Sequence, residues 1–206
     1  MKTVLCFGDS NTYGTPPLAQ LGIEARHGAD TRWPRIMAAE LGTDWHVVEE
    51  GQPGRTTVLD DPIEGEHRNG LRVLRALIES HRPVDVLVIM LGTNDCKQRF
   101  GLGPQDISFG AGRLVQLAQA TGFVDKIMLV CPPKVLERGV LAEMFAGAEA
   151  RSAGLAEAMR QQAQTWGTGF FDAGSVIASD PLDGVHFGAA AHGVLGLAMA
   201  RKVAAL

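Results

Sequence analysis

Two runs in this chain leave little freedom in the choice of fold. Val84-Asp85-Val86-Leu87-Val88-Ile89-Met90-Leu91 and Ile127-Met128-Leu129-Val130 are almost unbroken in apolar residues, many of them β-branched. They lack the polar alternation of a half-solvated strand, and a strand of this kind needs cover on both faces, as in a parallel sheet with helices packed on either side. Other strand-type runs stand at Thr3–Phe7, Trp45–Glu49 and Gly169–Phe171, and segments of helical periodicity fall near 32–41, 70–80, 105–121, 147–166 and 189–205. This β-α alternation predicts an α/β fold, a doubly wound sheet of five parallel strands, in one domain over residues 1–206.

Composition narrows the partners. The 206 residues are 46% hydrophobic and 20% charged, enough for one well-packed core. The net charge of -4 comes without any basic run that could follow a phosphate backbone, so no nucleic-acid partner is expected. No stretch approaches the roughly 18 apolar residues of a membrane helix, and Lys2 leads straight into a strand pattern without the apolar core of a signal peptide. No membrane partner and a cytoplasmic location are the expectation. Cys6, Cys96 and Cys131 form no C-x-x-C pair and read as buried, reduced thiols.

In a doubly wound sheet the ligand lies beyond the carboxyl ends of the strands, so the residues just after each strand carry the functional information. They read Gly8-Asp9-Ser10-Asn11, Gly51-Gln52-Pro53-Gly54-Arg55, Gly92-Thr93-Asn94-Asp95 and Asp172-Ala173-Gly174-Ser175, with Asp183-Gly184-Val185-His186 before the last helix. A serine, an aspartate and a histidine thus meet at one rim. A serine hydroxyl is a weak nucleophile until a base takes its proton, and the base needs a third group to hold its tautomer. Ser10, His186 and Asp183 fit these roles as candidate catalytic residues. The backbone N–H groups of Ser10 and Gly54 and the side-chain amide of Asn94 are candidate donors to an oxyanion, and glycine at 54 would permit a close backbone approach.

The ordered set Gly8-Asp9-Ser10, Gly54, Gly92-Thr93-Asn94-Asp95 and Asp183-Gly184-Val185-His186 resembles the four blocks of the SGNH hydrolases, or GDSL esterases, across nearly the whole chain. More narrowly, the stretches at 32–34, 49–57, 88–95 and 170–177 resemble the small bacterial arylesterases that also transfer acyl groups to alcohols and peroxide. The resemblance implies a flavodoxin-like three-layer α/β/α sandwich, a serine acyl-enzyme, short-chain ester substrates such as aryl acetates, and neither metal nor other cofactor. It also implies a homo-oligomer, octamers being frequent in the narrower group.

Each signal alone has a plainer reading. Gly-Asp-Ser can be a backbone turn, Asp-x-x-His a helix cap with a surface histidine, and Asn94 a loop-forming residue. Asp95 reads as structural, bonding loop N–H groups, and His27, His46, His67, His81 and His192 show no metal-ligand spacing. A phosphatase of the haloacid-dehalogenase type would need a second acid where Asn11 stands, which leaves His186 without a purpose. Still open at this level are a carbohydrate deacetylase, a thioesterase or lysophospholipase of the same family, and a non-catalytic acyl- or sugar-binding module. The segment 132–148 carries Val135, Leu136, Val140, Leu141, Met144 and Phe145 and reads either as a short helix on its own domain or as a lid or subunit contact shaping the acyl pocket.

Overall fold

A computed structural model describes residues 1–206. Five strands, β1 (Lys2–Gly8), β2 (Trp45–Gly51), β3 (Val84–Met90), β4 (Val124–Cys131) and β5 (Gly169–Asp172), form one parallel sheet in the order β2-β1-β3-β4-β5. The register sets Gly8 beside both Gly51 and Met90. The chain runs outward from β1 to β2, then crosses back to β3, so strand order reverses on either side of β1. The crevice above that reversal is where such sheets hold their ligands.

Alternation along the buried strands feeds two cores. Leu5, Phe7, Leu87, Ile89 and Leu129 face one side and pack with α3 (Gly70–His81), α4 (Pro104–Thr121) and α6 (Leu155–Trp166), represented by Leu74, Leu114 and Met159. Val4, Cys6, Val86, Val88, Met128 and Val130 face the other and meet α2 (Trp33–Leu41) and α7 (Ala189–Ala204) through Trp33, Met37, Leu195 and Met199. The result is the three-layer sandwich that continuous apolar strands require.

One expectation is corrected. The periodicity over 147–166 is split into α5 (Ala148–Ser152) and α6, because Gly154 adopts the left-handed conformation at φ 79° that ends one helix and starts the next. The 132–148 segment joins the two readings offered for it. A 3₁₀ turn at Gly139–Leu141 sits within it, Val135, Leu141, Phe145 and Ala148 are buried in the first core, and Leu141, Met144 and Phe145 also line the cleft described below.

Candidate active site

The four-residue helix α1 (Ser10–Tyr13) begins directly after β1. Asp9 caps it, its Oδ1 accepting the Asn11 N–H at 2.9 Å. Ser10 is the first helical residue, where a main-chain N–H has no acceptor within the helix, and its side chain stands at the open end of the sheet. Asn11 reaches across to donate its Nδ2 to Val185 O at 3.2 Å, tying this helix to the loop that carries His186.

That loop is built around Asp183. Its Oδ1 accepts the N–H groups of Val185 and His186, both at 2.9 Å, while Oδ2 accepts the Leu18 N–H and His186 Nδ1, both at 2.7 Å. Burial pushes the Asp183 carboxyl up, but the imidazole and these N–H groups outweigh it and hold the acid below the usual carboxylate range. His186 Nε2 then lies 3.1 Å from Ser10 Oγ. Asp183 is fully buried, and Ser10 and His186 are each about one-twentieth exposed, at 5% and 6%. With Nδ1–H facing the carboxylate, Nε2 carries the free lone pair and can accept the serine proton.

The two other expected site residues, Asn94 and Gly54, lie at the same place. Asn94 Nδ2 donates to Arg55 O at 3.1 Å and has only a long contact, 3.4 Å, to Asp9 Oδ2, so one N–H is spent on orientation and the other is weakly held. Gly54 follows Pro53 in a turn closed by Arg55 N–H to Gln52 O at 3.1 Å. Its φ of 78° suits glycine, and an added Cβ would fall 3.2 Å from Arg68 Nε and against the Glu64 carboxylate. No protein group accepts the Gly54 N–H. Ser10, Gly54, Asn94 and His186 all line one cleft of about 680 Å³.

Asp95 sits beneath this floor, where its carboxylate accepts the Thr57 N–H and hydroxyl, the structural part expected of it. Burial pushes both Asp95 and Asp9 up to about 6, against the pull of their hydrogen bonds. Among the other histidines, His192 is buried and accepts the Trp33 N–H at Nδ1.

Sequence patterns did not single out four side chains here. Arg55 is buried, donates to Gly8 O at 2.9 Å and to Glu50 O, and lies over the Phe7 ring; burial pushes its guanidinium down to about 10. Lys97, 2% exposed, pairs with Asp61 and Glu64, and Arg99 pairs with the same two acids. Arg68 donates to Pro53 O. The partners named for Lys97, Arg99 and Arg68 are 15 to 38 residues away, which no local spacing rule links. No three His, Cys, Asp or Glu side chains come together as a metal site.

The chain as a whole, beyond this row of Ser10, His186 and Asp183, is similar to known proteins. The model of the GDSL-like lipase/acylhydrolase family matches residues 6–194. The chain belongs to that family. An aryl esterase from M. smegmatis, solved with inhibitor bound, is 38% identical with a TM-score of 0.94, each chain covered in full. A carbohydrate acetylesterase from Sinorhizobium meliloti is also 38% identical at TM-score 0.94, covering 100% of this chain and 99% of that one. The lipase/acylhydrolase from Enterococcus faecalis, 21% identical at TM-score 0.69 over 98% and 95% of the two chains, shares the fold. No curated protein matches. This GDSL-family chain is a carboxylic ester hydrolase.

Proposed function

We propose that Ser10 is the nucleophile of an acyl-enzyme mechanism, with His186 as general base and then general acid, and Asp183 holding the imidazole's tautomer and charge. The observation that carries this reading is the unbroken row from Asp183 Oδ2 to His186 Nδ1 at 2.7 Å and from His186 Nε2 to Ser10 Oγ at 3.1 Å. Ser10 attacks the ester carbonyl, its proton passes to Nε2, and the oxyanion is received by the N–H groups of Ser10 and Gly54 and the Asn94 amide. The imidazolium returns the proton to the departing alcohol. Water, deprotonated by the same nitrogen, then releases the acid.

The substrate proposed is a short-chain ester of the aryl acetate kind. Leu141, Met144 and Phe145 supply an apolar wall close to the serine. A second reading, an acetylated carbohydrate, is favoured by the polar wall of the same cleft, where Glu24, Arg26, Glu64, Arg68 and Lys97 offer donors and acceptors to hydroxyl groups. Likeness to the Sinorhizobium acetylesterase supports it too. Transfer of the acyl group to an alcohol or peroxide belongs to the proposal, since His186 can deprotonate any small acceptor that enters. So do a homo-oligomer, for which exposed Leu21 and Ile23 beside the cleft offer apolar surface, and a reducing, cytoplasmic setting that suits three buried free cysteines.

The test is the initial rate of aryl acetate hydrolysis by the protein and by Ser10→Ala, without added metal. Turnover abolished by the substitution is expected. Turnover that survives it overturns the nucleophile assignment, and an inert protein that a fluorophosphonate fails to label at Ser10 overturns the enzyme reading in favour of a binding module.

A further inference from the structure

The candidate oxyanion donor at Gly54 belongs to a peptide that is able to turn over. Gln52-Pro53-Gly54-Arg55 is a β-turn closed by the bond from Arg55 N–H to Gln52 O, and the φ of 78° at Gly54 marks it as type II. Type I and type II turns differ by rotation of the central peptide, here the one joining Pro53 to Gly54. Proline at the second position fits both types, and glycine at the third can take either sign of φ. The pair favours type II, yet neither residue forbids the turned-over state.

The two states have opposite chemistry. In a trans peptide the C=O and N–H point in opposite directions. With Pro53 O accepting from Arg68, the Gly54 N–H is free of protein acceptors and Gly54 lines the wall with Ser10 and Asn94. Turned over, the same peptide would direct a carbonyl oxygen at the place where negative charge develops.

Arg68 touches that switch. One guanidinium nitrogen donates to Pro53 O. Its Nε is buried without a hydrogen-bond partner, 3.8 Å from the Glu64 carboxylate, and both side chains lie against the face of Gly54. Glu64 is held in turn by Lys97 and Arg99. The main chain of Arg68 grips the same loop from the other end, its carbonyl accepting the Thr56 N–H at 2.9 Å.

We infer that Arg68 is a positioning residue for the oxyanion site: by holding Pro53 O it keeps the Pro53–Gly54 peptide in the orientation that offers the Gly54 N–H to the reacting carbonyl. The Glu64–Lys97–Arg99 ion pairs fix the guanidinium in turn. This rests on the oxyanion role proposed for Gly54.

The experiment compares wild type, Arg68→Met and Arg68→Lys on a neutral aryl acetate, with melting temperature measured alongside. Deleting an oxyanion donor costs about 10²–10³ in kcat, which bounds a partial loss of alignment at roughly 10- to 100-fold for Arg68→Met with KM little changed. Arg68→Lys, which keeps a cationic donor, is expected to fall between. Affinity for a boronic acid that forms a tetrahedral serine adduct should fall in step with kcat. A kcat within twofold of wild type, a loss confined to KM, or unchanged boronate affinity overturns the inference. If Arg68→Met does not fold, Arg68→Ala decides: a folded variant with full kcat and boronate affinity refutes the role, and a loss that added ethylguanidinium partly reverses supports it. Activity surviving Ser10→Ala would instead sink the mechanism as a whole, so the two failures are distinguishable.

Discussion

Asp183→Asn separates alignment of the base from simple folding, because four donors converge on this carboxylate. Oδ1 takes two main-chain N–H groups at 2.9 Å, and Oδ2 takes the Leu18 N–H and His186 Nδ1 at 2.7 Å. An asparagine keeps more bonds with its oxygen toward the pair, which places its NH₂ against Leu18 N–H and His186 Nδ1. The Leu18 N–H then loses its acceptor, a cost of about 1–3 kcal/mol. For a chain of this size that is roughly 2–12 °C in melting temperature. The larger effect is on the imidazole, which now accepts at Nδ1 and carries its proton on Nε2, facing Ser10 Oγ with no lone pair to offer. The same substitution in serine proteases costs about 10⁴ in kcat, or about 5 kcal/mol of barrier. Steady-state hydrolysis of an aryl acetate, with calorimetry on the same sample, measures both. A variant that melts lower but keeps kcat within tenfold of wild type would refute the tautomer reasoning and leave Asp183 a loop anchor.

Asn94→Ala should keep the fold and lose roughly 2.7–4 kcal/mol of transition-state stabilisation, seen as a fall in kcat at similar KM; an unchanged kcat removes Asn94 from the oxyanion site. Asp95 is pushed up to about 6 by burial, so its protonated form favours folding below about pH 4 and that contribution is lost as pH rises through 6. The unfolding free energy of Asp95→Asn should therefore gain on wild type by about 2 kcal/mol between pH 4 and pH 7, and a difference independent of pH in denaturant titrations would contradict the shift. Phe145→Ala empties a position 2% exposed in the first core and should cost about 3–5 kcal/mol in urea unfolding; a loss below 1 kcal/mol would mean that the segment carrying it is not packed as described.

The sheet was legible because strands buried on both faces have only one way to satisfy their surroundings, and Val84–Leu91 announces such a strand by itself. Ser10, Gly54 and Asn94 could be read because each follows a strand within a few residues, and Asp183 and His186 because they stand just before the last helix. Ser10 and Asn94 come together because β1 and β3 are neighbours, an order that the β-α rhythm allows without fixing, and His186 joins them from the loop before α7. What escaped is long-range and polar. Nothing near Arg68 says that its guanidinium will meet Pro53 O, and nothing near Lys97 names Asp61 and Glu64 as partners, since such pairs depend on how irregular loops fold back. The break at Gly154 did leave a signal, a glycine within a helical pattern, but glycine is tolerated there often enough that periodicity overrode it.

The Leu136 N–H donates to Gly184 O at 2.8 Å, and the Gly184 Cα leaves no room for a side chain against Leu136 O. Residue 184 lies between the acid and the base, while Leu136 opens the segment whose Leu141, Met144 and Phe145 form the apolar wall. Wall and base are thus riveted into one piece. Reshaping the pocket for a bulkier acyl group is then also a way of detuning the proton relay, so substitutions at Met144 or Phe145 intended to change selectivity will alter turnover as well.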